Sequence, residues 1–427
     1  MNGGILPAAY AGMTGLAGLV ARTGLKLRRL TGGRGTGQDL AERLVLDQPS
    51  ELVVSGAIWL HGASVGEIRS LAPLIPALQH RRPGSHFLVT ASTTTGRKTA
   101  REALRQSTCL APWDAPGPVA RFLDRYRPCL HVVVETEIWP LRWEQLHRRA
   151  IPLAMVSARL SPEKWPRYRR WRGLYAPALA RMDLLAPATV EDRRRLVDLG
   201  ADPSHLGPEG HLKWDAAPNA AGVVRTGELR RALGLATEAG WIVLGSVHPG
   251  EASGILRGLG DRLREDGDLG VLVAPRHPRR FDEVFEELHT GALTPHRSSE
   301  GPAPEKARLI LVDQLGVLPH LYPLARAAFL GGTLVKIGGH SPLEAAAAGC
   351  PLAAGPHCFQ QTPLVEPLEN VGAMRRLAGA GEVAAALARW IDDPVAREAA
   401  SRAAVSEVEH RRGLAGRLAD TILELLP

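Results

Sequence analysis

A chain of 427 residues, 45% of them hydrophobic and with no low-complexity block, is too long for one ordinary domain. Its composition excludes a disordered or fibrous chain and predicts two globular domains, each with a sizeable core. The formal charge of +8 is clustered, and favours an anionic partner: a membrane surface, a phosphorylated substrate or nucleic acid. Cys109, Cys129, Cys350 and Cys358 lack metal-ligand spacing and read as small apolar core or loop residues in a reducing compartment.

The run from Ile5 to Ala21 carries no charge and is followed by Arg22, Lys26, Arg28 and Arg29. As a helix it reaches only about 25 Å, slightly short of a hydrocarbon core of roughly 30 Å. Met1 to Gly4 lacks the basic residues that open a signal peptide, and the basic flank holds the rest of the chain on the cytoplasmic side. Residues 1–30 therefore read as a short membrane anchor with a basic flank; the plainer alternative is a first helix docked on the protein. Gly12, Gly15 and Gly18 give it a small-residue face suited to close packing.

The stretch 58–78 opens as a buried strand (Ile58, Trp59, Leu60), breaks at His61-Gly62 and continues as a helix carrying Leu71, Leu74, Ile75 and Leu78. Three readings compete for the turn. Gly62-Ala63-Ser64-Val65-Gly66 fits a nucleophile elbow with Ser64 as a hydrolase nucleophile. Glu67 at the mouth of the turn suits a general base that takes a proton from an acceptor hydroxyl. On the plain reading Ser64 is an N-cap and Glu67 its capping-box partner.

Strands and helices alternate to about Gly200, with apolar runs at 86–91, 130–134, 151–156 and 183–186, the signature of a parallel α/β sheet. Ser92-Thr93-Thr94-Thr95-Gly96 opens a helix whose hydroxyls and free N–H groups suit an anion, sugar hydroxyls or simply a cap. Glu135-Thr136-Glu137 follows the LHVVV strand. Two carboxylates there are costly unless solvated, paired or functional; with Pro140 in the next first turn, Glu137 is also a candidate cap. From Arg159 to Arg181, basic residues (Lys164, Arg167, Arg169, Arg170, Arg172) interleave with Trp165, Tyr168, Trp171 and Tyr175. That suits an anionic membrane or a phosphorylated lipid ahead of nucleic acid or a core stripe.

After a Pro/Gly-rich region, Pro203 to Gly222, the strand pattern restarts at 241–246, 271–276, 308–312 and 327–332. The expected architecture is α/β: a membrane anchor (1–30), a first Rossmann-like domain (31–205), a linker (206–222) and a second Rossmann-like domain with C-terminal helices (223–427), with a ligand cleft between the two. The helical C-terminus also suits packing back across the first half. Lys213, in Gly210-His211-Leu212-Lys213-Trp214-Asp215, suits stabilising charge on a leaving phosphate. Gly245 to Glu251 turns from strand to helix again, and Arg276 ends the next strand, placed to pair with a phosphate. In Gly331 to Pro351, glycines allow close backbone approach and a helix start near Pro342 points its positive end at a ligand. Ser341 and Glu344 form a capping box there, or Glu344 takes ribose hydroxyls.

Taken in order, HGASVGE (61–67), STTTG (92–96), ETEIWP (135–140), ARLS (158–161), GHLKWD (210–215), GSVHPGE (245–251), APRHPRRF (274–281), GGTLV (331–335), GGHSPLEAA (338–346) and GPH (355–357) resemble the Kdo transferases of lipopolysaccharide synthesis. These are GT-B glycosyltransferases. The resemblance implies inverting transfer of Kdo from CMP-Kdo to a lipid A precursor (lipid IVA) at the cytoplasmic face of the inner membrane, with no metal and no nucleic acid. It makes Glu67 the general base and Glu135 and Lys213 transition-state stabilisers. It places Pro275, Arg276, Leu315, Gly316, Val317, Ser341, Pro342, Leu343 and Glu344 around CMP. It leaves Ser64 as a turn residue. Leu141, Val317 and Ser341 depart from the family's usual residues; the last two flank the donor site, so a different nucleotide sugar or acceptor is the second reading.

Overall fold

The apolar runs become two parallel sheets. The computed structural model describes residues 5–30, 37–47, 55–218, 226–235, 240–265, 269–289, 293–305 and 307–426, so Met1 to Gly4 and the 219–222 end of the expected linker lie outside the described residues. The chain divides into two units, Met1–Ala216 with Arg412–Pro427, and Ala217–Arg411.

In the first unit β1 (Ile58–Gly62), β2 (Phe87–Ala91), β3 (Ser107–Leu110), β4 (Leu130–Val134), β5 (Leu153–Ala158) and β6 (Leu184–Pro187) pair in the order β3-β2-β1-β4-β5-β6, all parallel. Because side chains alternate across a strand, neighbouring residues serve opposite faces. Ile58, Leu60, Val132 and Val156 join one core with Leu74 and Leu78, while Trp59, Val133 and Met155 join another with Phe122, Trp143 and Leu196. Both faces are thus covered by helices, which explains why β1 and β4 are buried throughout and mostly apolar rather than alternating, His61 and His131 being their polar members.

Four expectations need correction. Strand β1 runs on through His61 and Gly62. The buried His61 is accommodated because its Nδ1 lies 2.8 Å from Thr90 Oγ1, on the neighbouring strand. The single expected helix is two, Val65–Ser70 and Leu74–Arg81, because Pro73 has no amide hydrogen and stands at the second N-cap. The segment 206–216 is no linker: Gly207 and Gly210 donate to Leu185 and Pro187 carbonyls at the edge of β6. And the 223–427 bound is too long: the last helix, Leu414–Leu423, packs back on the first half, as expected of the helical C-terminus, and belongs to the first unit. Its Leu414, Leu418 and Ile422 complete the core under Leu74–Arg81, an apolar face of the sheet that nothing nearer in sequence covers.

The N-terminal helix, Ile5–Leu30, docks on this unit. Leu25 packs on Ala41 and Leu44, and the Tyr10 hydroxyl donates to Asp114 at 3.0 Å. Met13, Leu16, Leu19 and Val20 remain exposed as an apolar ridge. Among the described residues no helix is long and apolar enough to cross a membrane.

In the second unit β7 (Gly240–Val247), β8 (Leu269–Pro275), β9 (Pro295–Arg297), β10 (Leu309–Leu311), β11 (Ala325–Leu330), β12 (Leu352–Ala354) and β13 (Met374–Arg376) form a parallel sheet in the order β13-β12-β11-β7-β8-β10-β9. Helices Glu251–Gly258 and Ala380–Asp392 cover one face through Ile255, Val383 and Leu387. In both units the strand order reverses beside the first strand, between β1 and β4 and between β7 and β11. Open α/β sheets bind ligands outside the carboxyl ends of the strands at such a reversal.

Candidate active site

At the reversal in the first unit the turn after β1 carries Glu67 and the turn after β4 carries Glu135 and Glu137. Ser64, in extended conformation, caps the helix Val65–Ser70 by accepting from the Glu67 amide at 3.3 Å. The Glu67 carboxylate answers by accepting from the Ala63 amide at 2.5 Å and the Ser64 hydroxyl at 2.9 Å. Capping and function are therefore not rivals here: the cap fixes a carboxylate at the mouth of the turn. The same contacts remove the hydrolase reading. The Ser64 hydroxyl is spent on a carboxylate rather than an imidazole, and it lacks the strained backbone of a nucleophile elbow.

The strain lies instead at Glu135, whose φ of 60° puts a non-glycine residue in the left-handed region. Such a conformation costs on the order of 1–3 kcal/mol and persists where surrounding structure enforces it. Here the Glu135 amide stays bonded to the Val156 carbonyl while its side chain turns to Lys213, with Nζ to Oε1 at 2.8 Å. Lys213 is placed by a second strained residue. Ser157, with φ 52°, accepts from the Leu212 amide at 2.9 Å and holds the 210–213 turn against β5. His211 Nε2 lies 3.6 Å from Glu135. Burial, then Lys213, pushes that imidazole down to about 3, so it is neutral and the positive charge beside Glu135 comes from Lys213 and Arg159.

These surroundings separate the three carboxyls. Burial pushes Glu135 up, but Lys213, with Arg159, outweighs it and holds it at about 2. Burial likewise opposes ionisation of Glu137, yet His61, the Trp139 indole and Arg142 keep it below the usual carboxylate range. Among the described residues Glu67 makes no salt bridge. Burial and the negative charge of Glu135, with a smaller contribution from Glu137, raise it to about 7 despite the bonds from Ala63 and Ser64. A carboxyl that titrates near neutrality beside two that stay ionised is the arrangement a general base requires.

Glu137 is not a cap. The helix Pro140–Arg148 is capped by Asp114, which accepts from the Leu141 and Arg142 amides at 3.3 and 2.8 Å. Asp114, His61, Ser157 and His211 all support the site; His61 and His211 stand within HGASVGE and GHLKWD, whereas Asp114 and Ser157 lie outside the motifs. The basic aromatic segment is also divided. It forms two helices, Trp165–Arg170 and Arg172–Leu179; Trp165, Tyr168 and Tyr175 lean on the core, while Trp171 is exposed among Lys164, Arg167, Arg169, Arg170 and Arg172.

In the second unit the expected nucleotide residues lie at or beyond the carboxyl ends of parallel strands: Pro275 ends β8 and Arg276 follows it, Leu315, Gly316 and Val317 come after β10, and Ser341 to Glu344 after β11. Arg276 and Leu315 are exposed, and Gly316 has φ 82°, a turn conformation that favours glycine. The expected capping box does not form. The helix Leu343–Ala347 starts after Pro342, and Ser341 accepts from the Leu343 amide at 3.4 Å. The loop before it is fastened by Glu251, a residue that looks in sequence like an ordinary first-turn acid. Its buried carboxylate accepts from the His248, Gly332, Thr333 and Leu334 amides at 2.8 to 3.0 Å, tying the turn after β7 to the loop after β11. Among the described residues no group of three or more His, Cys, Asp or Glu side chains is arranged to hold a metal ion.

Comparison with known proteins gives a consistent result. Residues 38–216 match the family model for 3-deoxy-D-manno-octulosonic-acid transferase (kdotransferase). A 3-deoxy-D-manno-octulosonic acid transferase from Bordetella pertussis is 32% identical over 391 residues, covering 87% of this chain and 88% of the relative. One from Haemophilus influenzae is 31% identical over 389 residues, 90% of this chain and 91% of the relative. The solved glycosyltransferase from Rickettsia africae shares only 9% identity but superposes with a TM-score of 0.58, covering 87% of this chain and 98% of its own, a likeness of GT-B-like fold.

Proposed function

The chain belongs to the 3-deoxy-D-manno-octulosonic acid (Kdo) transferase family, and from that premise we propose that it moves Kdo from CMP-Kdo to a lipid A precursor, lipid IVA, with Glu67 as general base. The enzyme is a glycosyltransferase of lipopolysaccharide synthesis. The observation that carries the finer reading is the carboxyl raised to about 7 beside the Glu135–Lys213 pair. In this mechanism the acceptor hydroxyl gives its proton to Glu67 as its oxygen attacks the anomeric carbon of the donor. The bond to the CMP phosphate breaks on the opposite face, so the configuration inverts. Lys213, oriented by Glu135, stabilises the developing negative charge, and Arg276 with the turns at 315–317 and 341–344 holds CMP. No metal takes part.

The same proposal puts the enzyme at the cytoplasmic face of the inner membrane. The exposed ridge of Met13, Leu16, Leu19 and Val20 suits an interfacial helix, and Trp171 among exposed Arg and Lys side chains suits anionic lipid headgroups. Neither feature calls for nucleic acid. A second reading, a different nucleotide sugar or acceptor, is favoured by the departures at Leu141, Val317 and Ser341; Val317 stands beside Leu315, which is 70% exposed on the donor turn.

Mass spectrometry of the lipid product tests the choice. Incubation of the membrane-reconstituted protein with CMP-Kdo and lipid IVA is expected to yield lipid IVA heavier by one or more Kdo residues. Unmodified lipid IVA from active, folded protein, with turnover of another nucleotide sugar, would replace the first reading by the second.

A further inference from the structure

Two histidines at the strand reversal of the second unit take no part in that chemistry. His248 follows β7, His340 follows β11, and their Nε2 atoms are 3.0 Å apart. The rings are nearly coplanar, inclined by 8°, with centres 5.3 Å apart. That separation exceeds the N–N distance by about one centre-to-vertex length at each end, so the two nitrogens point at each other along the line of centres. The contact is an in-plane N–H···N hydrogen bond. It needs one nitrogen to carry the proton and the other to present a lone pair.

The pair is held in place rather than free to drift. Glu251 accepts from the backbone amide of His248 and from three amides of the loop that leads to His340. Gly332, in left-handed conformation with φ 72°, lies beneath both rings: a side chain there would stand 3.3 Å from His340 Nε2 and 3.4 Å from His248 Cδ2. The charged groups facing the pair are Arg276, Arg280 and His277 from the segment after β8, and Glu251 from the helix Glu251–Gly258. Glu251 is saturated by amide donors. Burial is the largest influence lowering both imidazoles, and Arg276 and His277 add to it, with Arg280 (itself paired with Glu283 and Glu287) acting on His248; His340 falls to about 4. An unliganded pair is neutral at pH 7.

We propose that His248 and His340 form a proton-linked phosphate site for the nucleotide donor: as the phosphate binds, the pair takes up one proton from solvent and becomes an imidazolium hydrogen-bonded to an imidazole. The inference rests on the CMP-nucleotide reading above and adds two residues to it. An anion beside Arg276 offsets the burial and the repulsion that together keep the pair neutral. The charge then returns most strongly when it is most useful. Rupture of the sugar–phosphate bond takes the phosphate from one negative charge towards two, so an adjacent imidazolium binds the departing group better than the intact donor.

Calorimetry of CMP binding to the full-length protein at pH 7.5, in buffers of different ionisation enthalpy, reads the proton directly. The phosphate of CMP has its second ionisation near ~6, so it enters almost wholly as the dianion and contributes little to the count. Wild type is expected to take up most of one proton per CMP, and its affinity to fall by up to about tenfold per pH unit above 7.5. His340→Gln and His248→Gln, each checked for an unchanged melting temperature, are expected to lose the uptake and bind CMP about tenfold more weakly. His277→Gln, which alters a neighbour outside the pair, is expected to keep it. Cytidine, which lacks the phosphate, is expected to bind without uptake. CMP binding with the same proton count in both pair variants overturns this inference alone. Failure of wild type to bind CMP overturns the donor reading beneath it.

Discussion

Replacing Glu67 by Gln is expected to lower acceptor-dependent transfer by about 10²–10⁴-fold while making the protein more stable at pH 8. The rate loss is the usual contribution of a positioned base. The gain in stability follows from the same environment. The folded protein holds a proton on Glu67 up to about pH 7, whereas the unfolded chain releases it near 4.5. The group's contribution to stability is therefore full below about 4.5, declines as pH rises, and is lost above about 7. Gln cannot ionise, so the variant escapes that decline. At 1.36 kcal/mol per pKa unit the difference is on the order of 1–3 kcal/mol in the variant's favour at pH 8. Thermal melts at pH 5 and 8 check it: the wild type should lose ground relative to Gln as pH rises. A variant that is inactive and less stable at both pH values would mark Glu67 as a structural cap only.

Lys213→Ala is expected to cost both stability and rate. Removing the ammonium leaves Glu135 with a strained backbone, a largely enclosed carboxylate and no cation within hydrogen-bonding distance through Nζ. Breaking a fully buried pair costs about 3–5 kcal/mol; with side chains 21% and 19% exposed, about 2 kcal/mol is expected here. The pH dependence runs opposite to that of Glu67. A carboxyl held at about 2 stabilises the fold above its ordinary value near 4.5, and that stabilisation is lost as pH falls towards 2. The gap between wild type and Lys213→Ala should thus be widest near neutrality and close in acid. Glu135→Gln should reduce the penalty in a double-mutant cycle, since the neutral amide does not need the ammonium. Equal penalties with and without Glu135 would mean that the two side chains do not act together. A fall in kcat of about 10²–10³-fold is expected alongside, from loss of charge stabilisation.

How much of this was legible beforehand depends on where each determinant lies. Strands β1, β4, β7 and β8 were evident because a strand covered on both faces must be apolar at successive positions. The short strands β3, β12 and β13 were not, since Ser107–Leu110, Leu352–Ala354 and Met374–Arg376 offer no run long enough to stand out. The carboxylates were legible because charge at the end of an apolar strand is anomalous. Their supports were not. Asp114 caps a helix that starts at Pro140, His61 looks like the end of a strand, and Ser157 is buried inside one. Each acts across the sheet on a partner far along the chain. The return of the helical C-terminus to the first unit was legible, but its seat was not: Leu414–Leu423 fits Leu74–Arg81, a match between segments more than three hundred positions apart.

The central claim, that Glu67 takes the acceptor's proton in a Kdo transfer, is tested most directly by CMP release from saturating CMP-Kdo, with and without lipid IVA, for wild type and Glu67→Gln at pH 6 and 8. The wild type should release CMP only with acceptor, and faster at pH 8, where a carboxyl of pKa about 7 is largely ionised; Glu67→Gln should show no acceptor-dependent release at either pH. Acceptor-dependent release by Glu67→Gln at the wild-type rate would contradict it.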